Sequence, residues 1–305
     1  MLWVEKYRPQ RIDEIVGQDK FVLDAKGWIN NQSMPNVLLA GRAGIGKTAA
    51  AISLGKEMLG RDFESNFTEI NASDDRKLET VRTTIRTIAE QGVIGEVGFR
   101  IIFLDEMDGM TRDAQFALRR VMERYNHVRF IITANHQEGI IEAIQSRVAC
   151  YRFIPLEQEQ IANVLERIME QENINVERYS TELLPFISLM GGDMRRSINE
   201  LQAAVSAGNS LSKQSEKSTI VWNQILELLI ERKSEEARVK LCDELYKGKT
   251  IQDICVGIHD AITTSSIDTN TKFKFLHSVG EAEWRGKGMT PRVLISWLVS
   301  KMGSQ

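Results

Sequence analysis

Gly41-Arg42-Ala43-Gly44-Ile45-Gly46-Lys47-Thr48 stands directly after a short apolar run and ahead of an alanine-rich stretch. The pattern is G-x-x-x-x-G-K-T, in the strand–loop–helix setting such a loop needs. Its glycines let successive backbone N–H groups curl around phosphate oxygens, and the helix that follows adds partial positive charge at its N-terminus. Lys47 then reaches the β- and γ-phosphates while the Thr48 hydroxyl holds Mg²⁺. A glycine-rich turn before Lys-Thr would show the same letters, but not the same flanks. The chemistry these residues can do is the binding of ATP with its metal.

A second cluster, Asp105-Glu106-Met107-Asp108, closes an apolar run at 101–104. Carboxylates at the end of a buried strand are costly unless a cation or a partner compensates them. Asp105 fits the organising of Mg²⁺, and Glu106 the general base for an attacking water. An acidic loop after a strand is the plain alternative, and the phosphate loop upstream tips the reading toward function. Thr133-Ala134-Asn135 ends a further apolar run. The Asn135 amide could orient the water or touch the γ-phosphate, although asparagine at a strand end also serves simply as a turn residue.

Positioning these groups requires strands that end side by side. Apolar runs recur at Val37–Ala40, Phe67–Asn71, 101–104, 129–133 and 149–153. Helical periodicity separates the early ones, which predicts βα units and a parallel sheet flanked by helices. Over 111–125 the residues Ala114, Ala117, Leu118, Val121, Met122 and Tyr125 form an i, i+3, i+4, i+7 stripe, with Thr111 as N-cap. Strand signals stop near Pro155; beyond it Ile161, Val164, Leu165, Ile168 and Met169 share one helical face. The polar run at 206–219, SAGNSLSKQSEKST, lacks apolar periodicity and reads as a linker, after which helical patterns resume at 220–231. The expected organisation is an α/β core over 1–155, a small all-helical part over 156–212 and an all-helical C-terminal part over 213–305.

With 305 residues, 42% of them hydrophobic and 27% charged, the chain has an ordinary globular composition. Its net charge of −3 excludes a protein that coats nucleic acid everywhere, so any such contact must come from a local basic patch. No apolar stretch approaches the roughly 18 residues of a membrane span, and the N-terminal residues lack the apolar core of a signal peptide. Cys150, Cys242 and Cys255 are odd in number and without metal-ligand spacing, which fits a reducing compartment and no zinc site.

Several stretches together resemble the AAA+ clamp-loader family, in particular the small subunits of replication factor C. They are Trp3-Val4-Glu5-Lys6-Tyr7-Arg8-Pro9 with Ile15-Val16-Gly17-Gln18, then Asn71-Ala72-Ser73-Asp74-Asp75-Arg76, then Ala114-Gln115 with Ala117-Leu118-Arg119-Arg120. Gln145-Ser146-Arg147, Gly192-Asp193-Met194-Arg195-Arg196 and Gly280-Glu281-Ala282-Glu283-Trp284-Arg285 extend the likeness over nearly the whole chain. The resemblance implies an AAA+ P-loop core, a helical lid and a collar domain that joins subunits into a ring. It implies nucleotide contacts from Val4, Arg8, Pro9 and Val16 at the adenine, and from Gly41, Arg42, Ala43, Gly44, Ile45, Gly46, Lys47, Thr48 and Ala49 at the phosphates. Asn135 becomes a first sensor of the γ-phosphate and Arg195 a second, reaching in from the lid. Arg147, otherwise a loop arginine, becomes an arginine finger acting on ATP bound by the neighbouring subunit. Two departures stand out. The family's loop usually carries two prolines and a later threonine where this chain has Arg42, Ala43 and Ile45. Its Ser-Arg-Cys reads Ser146-Arg147-Val148 here, with Cys150 displaced.

A helix expected from about residue 78 buries Leu78, Val81, Ile85 and Ile88 and presents Arg82 and Arg86, with Thr83 and Thr87 beside them. Like charges at i, i+4 repel by a few tenths of a kcal/mol, roughly, so an anionic partner would explain the pair; a solvated face is the plainer reading. Family members line the ring interior with this helix and the next, which makes Arg82, Arg86 and Arg112 candidates for sequence-independent phosphate contacts on primer–template DNA.

The implied function is ATP-dependent opening of a sliding clamp and its loading onto primed DNA during replication. The implied partners are the clamp, a clamp-loader large subunit and other copies of this chain. Rival readings are another AAA+ DNA motor of the branch-migration type, or a ring subunit that no longer hydrolyses ATP. Intact Lys47, Thr48, Asp105 and Glu106 argue against the second rival, and the all-helical end against the first. An archaeal-type or a virus-encoded source fits, with a cytoplasmic, nucleoid-associated location, or a nuclear one in a eukaryote.

Overall fold

In the computed structural model, the described residues are 1–72, 79, 81–188, 190–208, 211–286 and 288–303, with backbone alone for 81, 82 and 212–219. Five strands, β1 Val37–Ala40, β2 Phe67–Asn71, β3 Arg100–Asp105, β4 Val128–Ala134 and β5 Ala149–Arg152, pair in the order β2-β3-β4-β1-β5. Every ladder is parallel: Asn71 lies opposite Asp105 across β2–β3, and Ala40 opposite Ala134 across β1–β4. The central strands read as continuous apolar runs because both of their faces are covered.

Alternation along these strands divides the core in two. Leu38, Ile102, Leu104, Phe130 and Ile132 pack with Ala114, Leu118 and Val121 of the Arg112–Arg124 helix on one face. Val37, Leu39, Ile101, Phe103 and Ile131 pack with Ala50, Leu54 and Met58 of the Lys47–Leu59 helix on the other. The stripe at 111–125 thus becomes a helix whose N-cap is Thr111, its hydroxyl accepting the Ala114 N–H at 3.4 Å. Beyond β5 the helices Gln158–Gln171, Ser180–Ser188 and Met194–Ser206 follow, the first burying Ile161, Leu165, Ile168 and Met169.

The chain divides into two compact units, Met1–Ser210 and Leu211–Gln305, and the 155/156 boundary expected above falls within the first. The second has its own core, including Trp222, Ile225, Leu229, Ile258 and Leu298, and its described elements are all helices. One expectation fails here. The polar run at 206–219 is not a linker throughout, because a helix spans Ser212–Ile230. Lys, Gln and Glu are good helix formers, so polarity without periodicity marked the absence of a buried stripe rather than the absence of a helix.

Candidate functional site

The phosphate loop leaves β1 and turns into the Lys47–Leu59 helix through Gly44 (φ +78°) and Gly46 (φ +93°), backbone angles that favour glycine. Gly46 is the N-cap and no side chain caps the first turn, so its N–H groups remain for a ligand. Lys47 is buried, with its Nζ donating to Gly41 O at 2.6 Å, Arg42 O at 2.7 Å and Asn135 Oδ1 at 3.0 Å. Burial lowers its pKa; the carboxylates of Asp105, Asp108 and Glu106 oppose that shift and the nearby Arg195 charge adds to it. A partly desolvated ammonium of this kind gains from a polyanion placed beside it.

Asp105 ends β3 beside this helix. The Thr48 hydroxyl lies 3.3 and 3.2 Å from its two carboxylate oxygens. Cis oxygens around octahedral Mg²⁺, with bonds of about 2.1 Å, stand about 3 Å apart, so this hydroxyl–carboxylate pair fits as one edge of a magnesium site. Thr133, fully buried on β4, donates a short hydrogen bond to Asp105 Oδ1 and accepts the Glu106 N–H at 2.9 Å. Glu106 itself adopts φ +54°, a left-handed conformation rare for a residue with a Cβ. Asp108 Oδ2 accepts the N–H groups of Asn135 at 3.2 Å and His136 at 3.0 Å, fixing the end of β4 where Asn135 stands. Neither Thr133 nor Asp108 stands out in the sequence as a site residue. Their only signal was adjacency to Asn135 and Glu106.

One pocket collects Lys47, Thr48, Asp105, Glu106, Asn135 and Arg195, with Val4, Arg8, Pro9 and Val16 along another part of its wall. The N-terminal segment reaches it because Ser53 Oγ donates to Pro9 O at 3.0 Å and Glu57 Oε1 accepts the Ile12 N–H at 3.0 Å. From the other side, Gly44 O accepts the N–H groups of Met194 at 3.1 Å and Arg195 at 3.4 Å. Asp193 sits so close that a Cβ added at Gly44 would lie 2.0 Å from its Oδ1. The loop's second glycine therefore serves the approach of the Met194–Ser206 helix as well as its own turn. Tyr7, Glu14 and Arg167 also line the pocket and were not anticipated.

Arg147 does not line this pocket. It follows the short Glu142–Gln145 helix, half-exposed, and bonds to Glu123. Of the three basic candidates for nucleic acid, Arg112 is exposed at the first position of its helix. Arg86 is exposed and paired with Glu90 at 2.8 Å, so the chain already supplies one anion to it. The Arg82 side chain, together with Leu78 and the Val81 side chain, lies outside the described residues; a π-helical turn at Val81–Ile85 runs into the Arg86–Glu90 helix, with Ile85 buried. That turn packs against the Arg112–Arg124 helix.

Residues 37–156 match the family described as ATPase family associated with various cellular activities (AAA). The chain is 36% identical to the replication factor C small subunit of Methanococcus vannielii, covering 99% of this chain and 98% of that protein. The corresponding subunit of Methanothermobacter thermautotrophicus is 37% identical over 98% of this chain and 96% of its own length. That of Archaeoglobus fulgidus is 37% identical over 93% and 91%. Among solved structures, the Holliday junction branch migration motor RuvB of Thermotoga maritima superposes with a TM-score of 0.57, covering 73% of this chain and 79% of that one. At 14% identity that likeness speaks for the fold alone.

Proposed function

Because this chain belongs to the family of replication factor C small subunits, we propose that it is an ATP-hydrolysing subunit of a sliding-clamp loader, completing its neighbour's active site in a ring. The observation that carries this reading is a separation. Lys47, Thr48, Asp105, Glu106, Asn135 and Arg195 share one pocket, while Arg147 stands outside it. A complete set of phosphate ligands without its finger fits a site finished by another copy.

In this reading the Lys47–Leu59 helix N-terminus and Lys47 hold the β- and γ-phosphates, and Val4, Arg8, Pro9 and Val16 hold the adenine. Thr48 and Asp105 would hold Mg²⁺, which would supply positive charge against that of the phosphates. Glu106 accepts a proton from the attacking water, which the side-chain amide of Asn135 orients, while Asp108 holds the Asn135 backbone N–H in place. Arg195 reaches the nucleotide from the lid, for which we take residues 156–212, and residues 213–305 act as the collar. Primed DNA and the clamp stimulate turnover. ATP binding draws the subunits into a spiral that holds the clamp open on DNA, and hydrolysis releases it. Arg82, Arg86 and Arg112 track the DNA phosphates.

The test is complementation. Arg147→Ala and Lys47→Ala should each lower hydrolysis strongly, by roughly 10³-fold or more where the finger is lost. In co-assembled mixtures, some interfaces pair an intact phosphate loop with an intact finger, so activity recovers in part. No recovery in a mixture proven to co-assemble would place Arg147 within its own subunit's chemistry and remove the ring from the mechanism.

A further inference from the structure

Arg147 is held at several points. Its Nη1 donates to Ala143 O at 2.7 Å and to Ser146 Oγ at 3.2 Å, and its Nη2 donates to Glu123 Oε1 at 2.6 Å. That same oxygen accepts Arg119 Nε at 3.0 Å from one turn earlier on the Arg112–Arg124 helix. Two guanidinium groups therefore share one carboxylate. Arg119, first, and Arg147 hold the Glu123 carboxyl below its ordinary range, so it is ionised at neutral pH. A lone carboxylate would cancel the charge of an arginine bound to it. Here the second arginine restores a net positive charge, and the cluster still attracts phosphate.

Geometry leaves Arg147 something to offer. Among the described residues its Nε makes no hydrogen bond, and one of the two Nη2 hydrogens remains unused. The side chain carries many rotamers, and a finger that had to find its geometry at each engagement would lose that freedom every time. Held along one edge, it has already lost much of that freedom.

We propose that Glu123 is a positioning residue for the arginine finger, clamping the Arg147 guanidinium by one edge so that its free edge meets the neighbouring subunit's ATP. This rests on the reading of Arg147 as a finger acting in trans. Because Glu123 lies in the last turn of the helix that begins at Arg112, the same element carries the proposed DNA contact and the support of the finger.

Steady-state ATPase of the assembled complex tests this, with Glu123→Ala and the isosteric Glu123→Gln. Both should lower kcat, the alanine variant by roughly 10–100-fold as for a misplaced catalytic group, with KM for ATP unchanged. Combined with Arg147→Ala, Glu123→Ala should slow the reaction no further. Mixed with Lys47→Ala subunits, which carry an intact Glu123–Arg147 pair, Glu123→Ala subunits should regain activity. Parental kcat in Glu123→Ala, alongside a slow Arg147→Ala, would reduce the pair to a surface contact and overturn the proposal. So would a raised kcat, which would make Glu123 a restraint, or a raised KM with additive losses, which would place its effect within its own subunit. Should Arg147→Ala itself turn over at the parental rate, the finger reading fails first.

Discussion

Glu106 faces the pocket from a backbone angle that few residues with a Cβ adopt, at φ +54°. The surrounding bonds over-determine that angle. Its N–H is held by Thr133 Oγ1 at 2.9 Å, and Thr133 in turn holds Asp105. Strain at a single residue, sustained by buried neighbours, is how a carboxylate is kept beside a substrate rather than turned to solvent. Glu106→Gln keeps the shape and removes the base, so nucleotide should bind as in the parent while turnover falls by at least about 10²-fold, the usual contribution of a positioned base. Filter-bound nucleotide and phosphate release measure the two separately. A glutamine variant hydrolysing at the parental rate would move the base elsewhere, with Asp108, two residues on, the next carboxylate to test.

At the scale of elements, the Arg112–Arg124 helix and the segment leading to Arg147 are joined by one buried side chain. Gln115 is 1% exposed; its Nε2 donates to Met110 O at 3.1 Å and Gly139 O at 2.9 Å, and its Oε1 accepts the Ile141 N–H at 2.9 Å. Gln115→Ala would leave these backbone groups without partners, and a cost of about 2–4 kcal/mol follows from the usual penalty for such groups. Hydrogen exchange of the β3 and β4 amides under mild urea should report the loss of protection. Unchanged exchange would mean that water replaces the amide at no cost. The helix starting at Ser212 teaches a different lesson at this scale: its polar first half has the residues of a helix without the stripe that would reveal one.

For the whole molecule, the proposed role of Arg82, Arg86 and Arg112 is a matter of charge facing DNA phosphates in the assembled ring. Neutralising them to glutamine should weaken DNA binding, and should flatten the log–log dependence on salt by about one unit for each phosphate left without its arginine. Unstimulated ATPase should not change. An unaltered salt slope would return Arg86 to its local partner Glu90, 2.8 Å away, as its whole reason for being there.

The phosphate loop, the paired acids and the five strands are legible in the chain before it folds. Each is written in contiguous residues: a loop of fixed spacing, a carboxylate closing an apolar run, an apolar run long enough to be a strand. Lys47 and Asp105 could therefore be named, and their meeting inferred, because parallel strands carry their C-terminal ends to one edge. The remaining contacts arise from packing. Thr133 against Asp105, Asp193 against Gly44 and Glu123 against Arg147 join residues far apart in the chain, through side chains whose local patterns are those of any strand end or helix surface. A hydroxyl on a buried strand and a glutamate on the outer face of a packed helix carry no sign of the partner they will meet. That partner is fixed by the strand order and by how the helices pack on the sheet, which no window of neighbouring residues contains.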